Sequence, residues 1–112
     1  MLLDFAINHN EKTDSPVINL KGEIDIYTSP KLKNVLTDLI NTGKSQIYLN
    51  FKEVQYIDST GLGTIVQSAN LLEHNKGKLH ITSAKPTIKK VFEVSGVINK
   101  DLIVFEDELS IN

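Results

Sequence analysis

"YIDSTGLGTIV", residues 56–66, joins two different periodicities. Tyr56 and Ile57 end a strand-like run. From Leu62 onward, apolar residues recur at helical spacing: Leu62, Ile65, Val66, Ala69, Leu72. Between the two lie an acid (Asp58), two hydroxyls (Ser59, Thr60) and two glycines (Gly61, Gly63). The plain reading is helix initiation. Asp58 or Ser59 caps the free amides, and the acid complements the positive end of the helix dipole. One cap does not need three polar candidates in a row. Nor does it need two glycines in the first turn, where each costs up to ~1 kcal/mol against alanine.

Working outward, the same alternation of strand and helix repeats. Toward the N-terminus, "SQIYLNF" alternates Ile47, Leu49 and Phe51 and reads as a strand, with "KEVQYID" as a short link to the junction. Before it, "TSPKLKNVLTDLINTG" is a helix with both ends marked. Ser29 is the expected cap, Pro30 fits the first helical position, and Gly43 is a left-handed stop. Leu32, Val35, Leu36, Leu39 and Ile40 form its core face. Two strand-like runs open the chain, "LLDFAIN" and "VINLKGEIDI". The turn "HNEKTDSP" between them predicts an antiparallel pair. Beyond the junction, Gly77 is the expected end of the second helix and "KLHIT" is a strand. "KPTIKKVFEVSG" is a third helix with Pro86 near its start and Gly96 after its end, and "LIVFE" a last strand.

The order β-β-α-β-α-β-α-β predicts an α/β fold. Its sheet is mixed and mostly parallel, with four to five strands covered by three main helices. A chain of 112 residues is the size of one domain, expected to run over 1–112. Without cysteines it has neither disulfides nor thiolate metal sites. A net charge of -2 with scattered lysines points to neither nucleic acid nor an anionic membrane. The N-terminal "MLLDFAINHN" is too short for a signal segment or a membrane span, which favours a cytoplasmic setting.

Ligand sites in such sheets lie where strands hand over to helices. Asp58–Gly63 is one hand-over. Glu23–Pro30, with Asp25, is another, and neighbouring second and third strands would bring Asp25 and Asp58 to one edge. Three chemistries compete at the junction. A phosphate cradle lacks the Gly-Lys-Ser/Thr of a P-loop, and Asp58 would repel phosphate. A nucleophile elbow needs glycine where Ile57 stands, and His9, His74 and His80 show no clear partner acid, His80 reading as a surface residue. A regulated hydroxyl fits a serine at a helix start within reach of another protein's active site. Phosphorylation there adds about -1.5 to -2 of charge. No third carboxylate or histidine sits at ligand spacing, so no metal is expected.

"GEIDIYTSPKL" (residues 22–32) and "VQYIDSTGLGTIV" (54–66) together resemble the STAS domain of bacterial anti-sigma factor antagonists. "VFEVSGV" (91–97) is similar to the family's third-helix pattern, Phe-Glu-x-x-Gly, with Val97 where leucine is commoner. The resemblance runs over nearly the whole chain, and its first stretch is nearest the general-stress branch. It implies partner switching. The unphosphorylated antagonist binds an anti-sigma factor that is also a serine kinase, and so frees the sigma factor. The kinase then phosphorylates the serine after the motif aspartate, here Ser59, and a PP2C-type phosphatase restores the free form. The resemblance implies a partner surface of Asp25, Tyr27, Thr28, Asp58, Ser59, Thr60, Gly61 and Gly63. It implies a substrate and ligand rather than an enzyme, with no cofactor of its own. On the residues, the glycines are expected to leave room for the partner. Two rivals remain: a non-switching STAS subunit of a transport or signalling assembly, and a nucleotide-binding protein. The second would need a Lys or Arg beside residues 58–63, and none is adjacent.

Overall fold

The computed structural model describes residues 3–10, 14–96 and 101–107. Its elements are β1 (Leu3–Asn10), β2 (Ser15–Ile24), α1 (Ser29–Asn41), β3 (Gln46–Ile57), α2 (Ser59–Leu72), a 3-10 turn (Glu73–Asn75), β4 (Lys78–Thr82), α3 (Pro86–Ser95) and β5 (Ile103–Glu106). The expected order is found. The strands form one five-stranded sheet in chain order, with β1 antiparallel to β2 and every later pairing parallel. The centre of the first turn (residues 11–13) and Val97 lie outside the described residues.

Register explains how the core forms. Ile7, Ile18, Leu49, Ile81 and Phe105 make one row across all five strands, flanked by the row Ile47, Leu79, Ile103. Period-2 alternation puts both rows on one face. Leu32, Leu36 and Ile40 of α1, Leu62, Ile65, Ala69 and Leu72 of α2, and Ile88 and Phe92 of α3 join that face in a single core. Phe92 packs edge-on against Phe105, with ring centroids 5.3 Å apart. At ~25 cal/mol per Å² of apolar area, burying each such side chain contributes about 1.5–3 kcal/mol.

Two local expectations need correcting. Residues 52–57 are not a link but the second half of β3. Pairing with β2 slips once between Asn19 and Lys21 and again between Gly22 and Glu23, β3 carrying one extra residue each time. Each bulge shifts the alternation by one, so buried positions run Ile47, Leu49, Phe51 and then Val54, Ile57. A period-2 search loses the strand at that point. Gly22, with φ +124°, lies at the second slip, in a conformation that a side chain would strain.

The second correction is at the end of α2. The left-handed residue is Lys76 (φ +55°), not Gly77. Gly77 is needed for a different reason: a Cβ there would stand 1.8 Å from the Ser45 carbonyl oxygen. Gly43 (φ +90°) and Gly96 (φ +72°) are left-handed stops as expected.

The opposite face of the sheet carries a polar cluster. His80 stacks on Tyr48 with centroids 4.2 Å apart. Its Nδ1 lies 2.9 Å from Glu106 Oε1 and its Nε2 2.6 Å from Gln46 Oε1. His80 therefore has a partner acid that the sequence reading did not find, because Glu106 lies 26 residues away. Burial, and then the Glu106 carboxylate, push the Tyr48 phenol above its ordinary 10.0. The unfolded chain releases this proton near pH 10 and the folded chain holds it longer, so the contribution is complete below about pH 10 and is lost as pH rises through the folded value. Urea midpoints at pH 8 and pH 11 should therefore fall further apart for the parent than for Tyr48→Phe. Equal alkaline losses would mean that Tyr48 does not contribute.

Candidate functional site

The two bulges carry β3 far enough that Ile57 pairs with Ile24 at the end of β2. Both hand-overs to helices then occur at one edge of the sheet, as expected. The Asp58 amide donates to the Ile24 carbonyl at 3.1 Å and locks the two strand ends together.

Asp58 is the cap of α2. Its backbone is extended (φ -102°, ψ -178°) and its Oδ1 accepts from the Gly61 amide at 2.8 Å. Its Oδ2 accepts from the Ile26 amide at 3.1 Å, across to the β2–α1 turn. One carboxylate therefore serves two elements, which is why a simple cap accounts for only part of the motif.

Asp25 is 5 % exposed and builds the neighbouring turn. Its Oδ1 accepts from the Tyr27 amide (2.9 Å) and the Thr28 amide (3.0 Å). The Asp25 amide donates in turn to Thr28 Oγ1 at 2.9 Å, and that hydroxyl donates to the Glu23 carbonyl at 2.8 Å. Thr28 is buried by this role. Ser29, the expected cap of α1, lies inside the helix instead, its hydroxyl donating back to the Asp25 carbonyl at 2.6 Å. Asp25 and Thr28 thus shape the turn from within. The surface belongs to its tip, where Ile26 is 59 % and Tyr27 79 % exposed.

Ser59 and Thr60 open α2, both exposed. Among the described residues neither hydroxyl is engaged in a hydrogen bond. Tyr56, half-exposed at 49 %, flanks them on β3. Exposed Ile26, Tyr27 and Tyr56 on these two hand-overs offer apolar anchors next to reachable hydroxyls. Ile26 and Tyr56 escaped the sequence reading. Their signal was bulky apolar residues within two positions of the hand-over acids, Tyr56 out of phase with the core and Ile26 past the end of β2.

The glycines separate into two roles. A Cβ at Gly61 would lie 2.5 Å from the Ile24 carbonyl oxygen and 2.7 Å from Ile24 Cγ2. Gly61 is buried and serves the close approach of α2 to β2, not a partner. A Cβ at Gly63 would meet nothing within 4 Å, so its missing side chain does leave open surface.

His80 and Glu106 are remote from this edge. His80 pairs with Tyr48, nine residues along β3 from Ile57, a span of roughly 25–30 Å at strand rise. His80 is therefore not placed to act as a base on Ser59. No group of three potential metal ligands occurs among the described residues, and none of their helices is long and apolar enough to cross a membrane.

Residues 6–109 match the family model of the STAS domain. The chain belongs to the STAS domain family. It is 40% identical over 86 residues to the anti-sigma-B factor antagonist of Staphylococcus aureus (strain NCTC 8325 / PS 47), covering 77% of this chain and 78% of that protein. In structure it is similar to the Bacillus cell fate determinant SpoIIAA in its phosphorylated form, with TM-score 0.71, 25% identity and coverage of 94% and 93% of the two chains. An anti-sigma factor antagonist from Mycobacterium paratuberculosis matches with TM-score 0.81 over 96% of this chain and 88% of that one; at 16% identity it shows the shared fold. In this STAS domain the motif "DSTGLG" forms the cap and first turn of α2, at the exposed edge of the sheet.

Proposed function

We propose that this STAS domain is an anti-sigma factor antagonist acting in the cytoplasm as one domain over residues 1–112. Its unphosphorylated form binds an anti-sigma factor that is also a serine kinase, and thereby releases a sigma factor. Phosphorylation of Ser59 ends that binding, and a PP2C-type phosphatase reverses it. The chain is a substrate and a ligand in this cycle, not a catalyst.

The observation that carries the reading is the Ser59 hydroxyl itself. It stands exposed in the first turn of α2, directly after the capping Asp58, with Ile26, Tyr27 and Tyr56 exposed on the adjoining strand and turn. A kinase needs such an accessible hydroxyl, and a partner needs such anchors. Tyr27, Thr60 and Gly63 belong to the contact surface, while Asp25, Thr28 and Gly61 support it from beneath.

Incubation with the anti-sigma kinase of the same organism and ATP, followed by mass-spectrometric mapping, tests this. Phosphate is expected on Ser59 and not on Thr60, its exposed neighbour. Modification confined to Thr60 or Ser29, or none at all, overturns the assignment.

A further inference from the structure

Asp58 joins the acceptor serine to the recognition turn. Its Oδ1 holds the Gly61 amide of α2 and its Oδ2 holds the Ile26 amide of the β2–α1 turn. The turn is otherwise tied together by Asp25 and Thr28, whose bonds reach the amides of residues 25, 27 and 28 but not that of Ile26. Of Ile26 and Tyr27, the two most exposed apolar anchors at this edge, Ile26 is tied to the start of α2 by one carboxylate oxygen, and Tyr27, its chain neighbour, is held by Asp25.

We propose that Asp58 is a positioning residue that relays charge at Ser59 to the Ile26–Tyr27 tip. The proposal rests on reading Ser59 as the phosphoacceptor. Transfer of the γ-phosphoryl group of ATP to Ser59 Oγ breaks the bond to the bridging oxygen, releases ADP and frees the hydroxyl proton. The new group brings about -1.5 to -2 of charge and three strong acceptor oxygens to the residue next to Asp58. It repels the Asp58 carboxylate and competes with it for the free amides at the start of α2. Oδ1 is held in the cap geometry by Gly61 at 2.8 Å. Oδ2, on the longer and exposed 3.1 Å bond, is the contact that yields. The Ile26 amide is released, and that anchor loses the position in which the partner meets it, while Asp25 still holds the Tyr27 amide. Switching then has two parts: charge placed in the interface, and an apolar anchor moved out of register.

Amide exchange measured by NMR on the full chain separates this relay from a direct clash. The samples are the parent, the parent phosphorylated at Ser59, Ser59→Glu, Asp58→Asn and Ser59→Ala. Phosphorylation and Ser59→Glu should speed exchange at Ile26 by about tenfold, the loss of one hydrogen bond of ordinary strength. Gly61 should keep its protection. Asp58→Asn has a single acceptor oxygen, so it should free Ile26 while still capping α2, and phosphorylation of that variant should change Ile26 no further. Ser59→Ala should match the parent. Unchanged exchange at Ile26 in both the phosphorylated protein and Ser59→Glu overturns the relay. If the kinase places no phosphate on Ser59, the functional reading fails, and Ser59→Glu alone still decides the relay.

Discussion

Ser59→Asp is expected to lose the anti-sigma factor, by about 100-fold or more in Kd, while its Tm stays within about 5 °C of the parent. The two effects have opposite electrostatic settings. In the free domain, residue 59 sits in the first turn of α2, where the helix dipole and free amides favour negative charge by roughly 0.3–1 kcal/mol. Asp58, one residue away, opposes it and trims that gain. Loss of the single exposed bond from Ile26 to Asp58 subtracts about another 0.5–1.5 kcal/mol. The fold therefore survives. In the proposed complex, the same charge would be buried against a surface fitted to a small neutral hydroxyl. An ionised group desolvated without a paired cation costs several kcal/mol, and a loss of about 2.7 kcal/mol already gives 100-fold. Ser59→Ala keeps the neutral surface and should bind like the parent, with no sensitivity to kinase and ATP. Calorimetric titration and thermal unfolding on one preparation measure both quantities. A drop in Tm well beyond 5 °C would mean that switching proceeds by unfolding of the α2 start, and the interface account would fall.

Gly61→Ala and Gly63→Ala are expected to diverge although the glycines are two residues apart in one helix. At Gly61 the added methyl meets the Ile24 carbonyl oxygen at 2.5 Å. That oxygen is backbone, at the end of a buried strand, and already accepts from the Asp58 amide. It cannot retreat without breaking that bond, so α2 must move away from β2. Overpacking of this kind costs typically 1–3 kcal/mol, and the lost strand-end bond places the effect at the upper end, a fall in Tm of roughly 10 °C. At Gly63 the methyl points into open space, and the helix gains up to ~1 kcal/mol from alanine's propensity. Gly63→Ala should thus melt at or slightly above the parent's Tm. Thermal unfolding of the two variants decides the matter. Equal Tm values would show that the close approach at Ile24 is not a constraint on the fold.

Much of the fold was legible because its signals are local. Pro30 and Pro86 mark helix starts, and Gly43 and Gly96 mark helix ends. The apolar spacing within α1, α2 and α3 depends only on residues three or four apart. Strand and helix order then determined the α/β class and a mixed, mostly parallel sheet. The hydroxyl at Ser59, its place at a helix start and the acid before it could also be read in one short stretch.

What only the tertiary structure decided depends on register. The two bulges in β3 turn period 2 into steps of three, so the strand hid from a period search; they are also what brings Ile57 level with Ile24. Asp58 reaches Ile26 across 32 residues, and His80 reaches Glu106 across 26. Gly61 and Gly63 look alike as letters; one faces a backbone oxygen and the other open space. Asp25 and Asp58 look like two hand-over acids, yet one is folded into its own turn and the other bridges two elements. A chain states locally which residues start, stop and face inward, because those preferences act within a few positions. Which distant amide a carboxylate meets, and which glycine has no room, is set only when the strands are aligned.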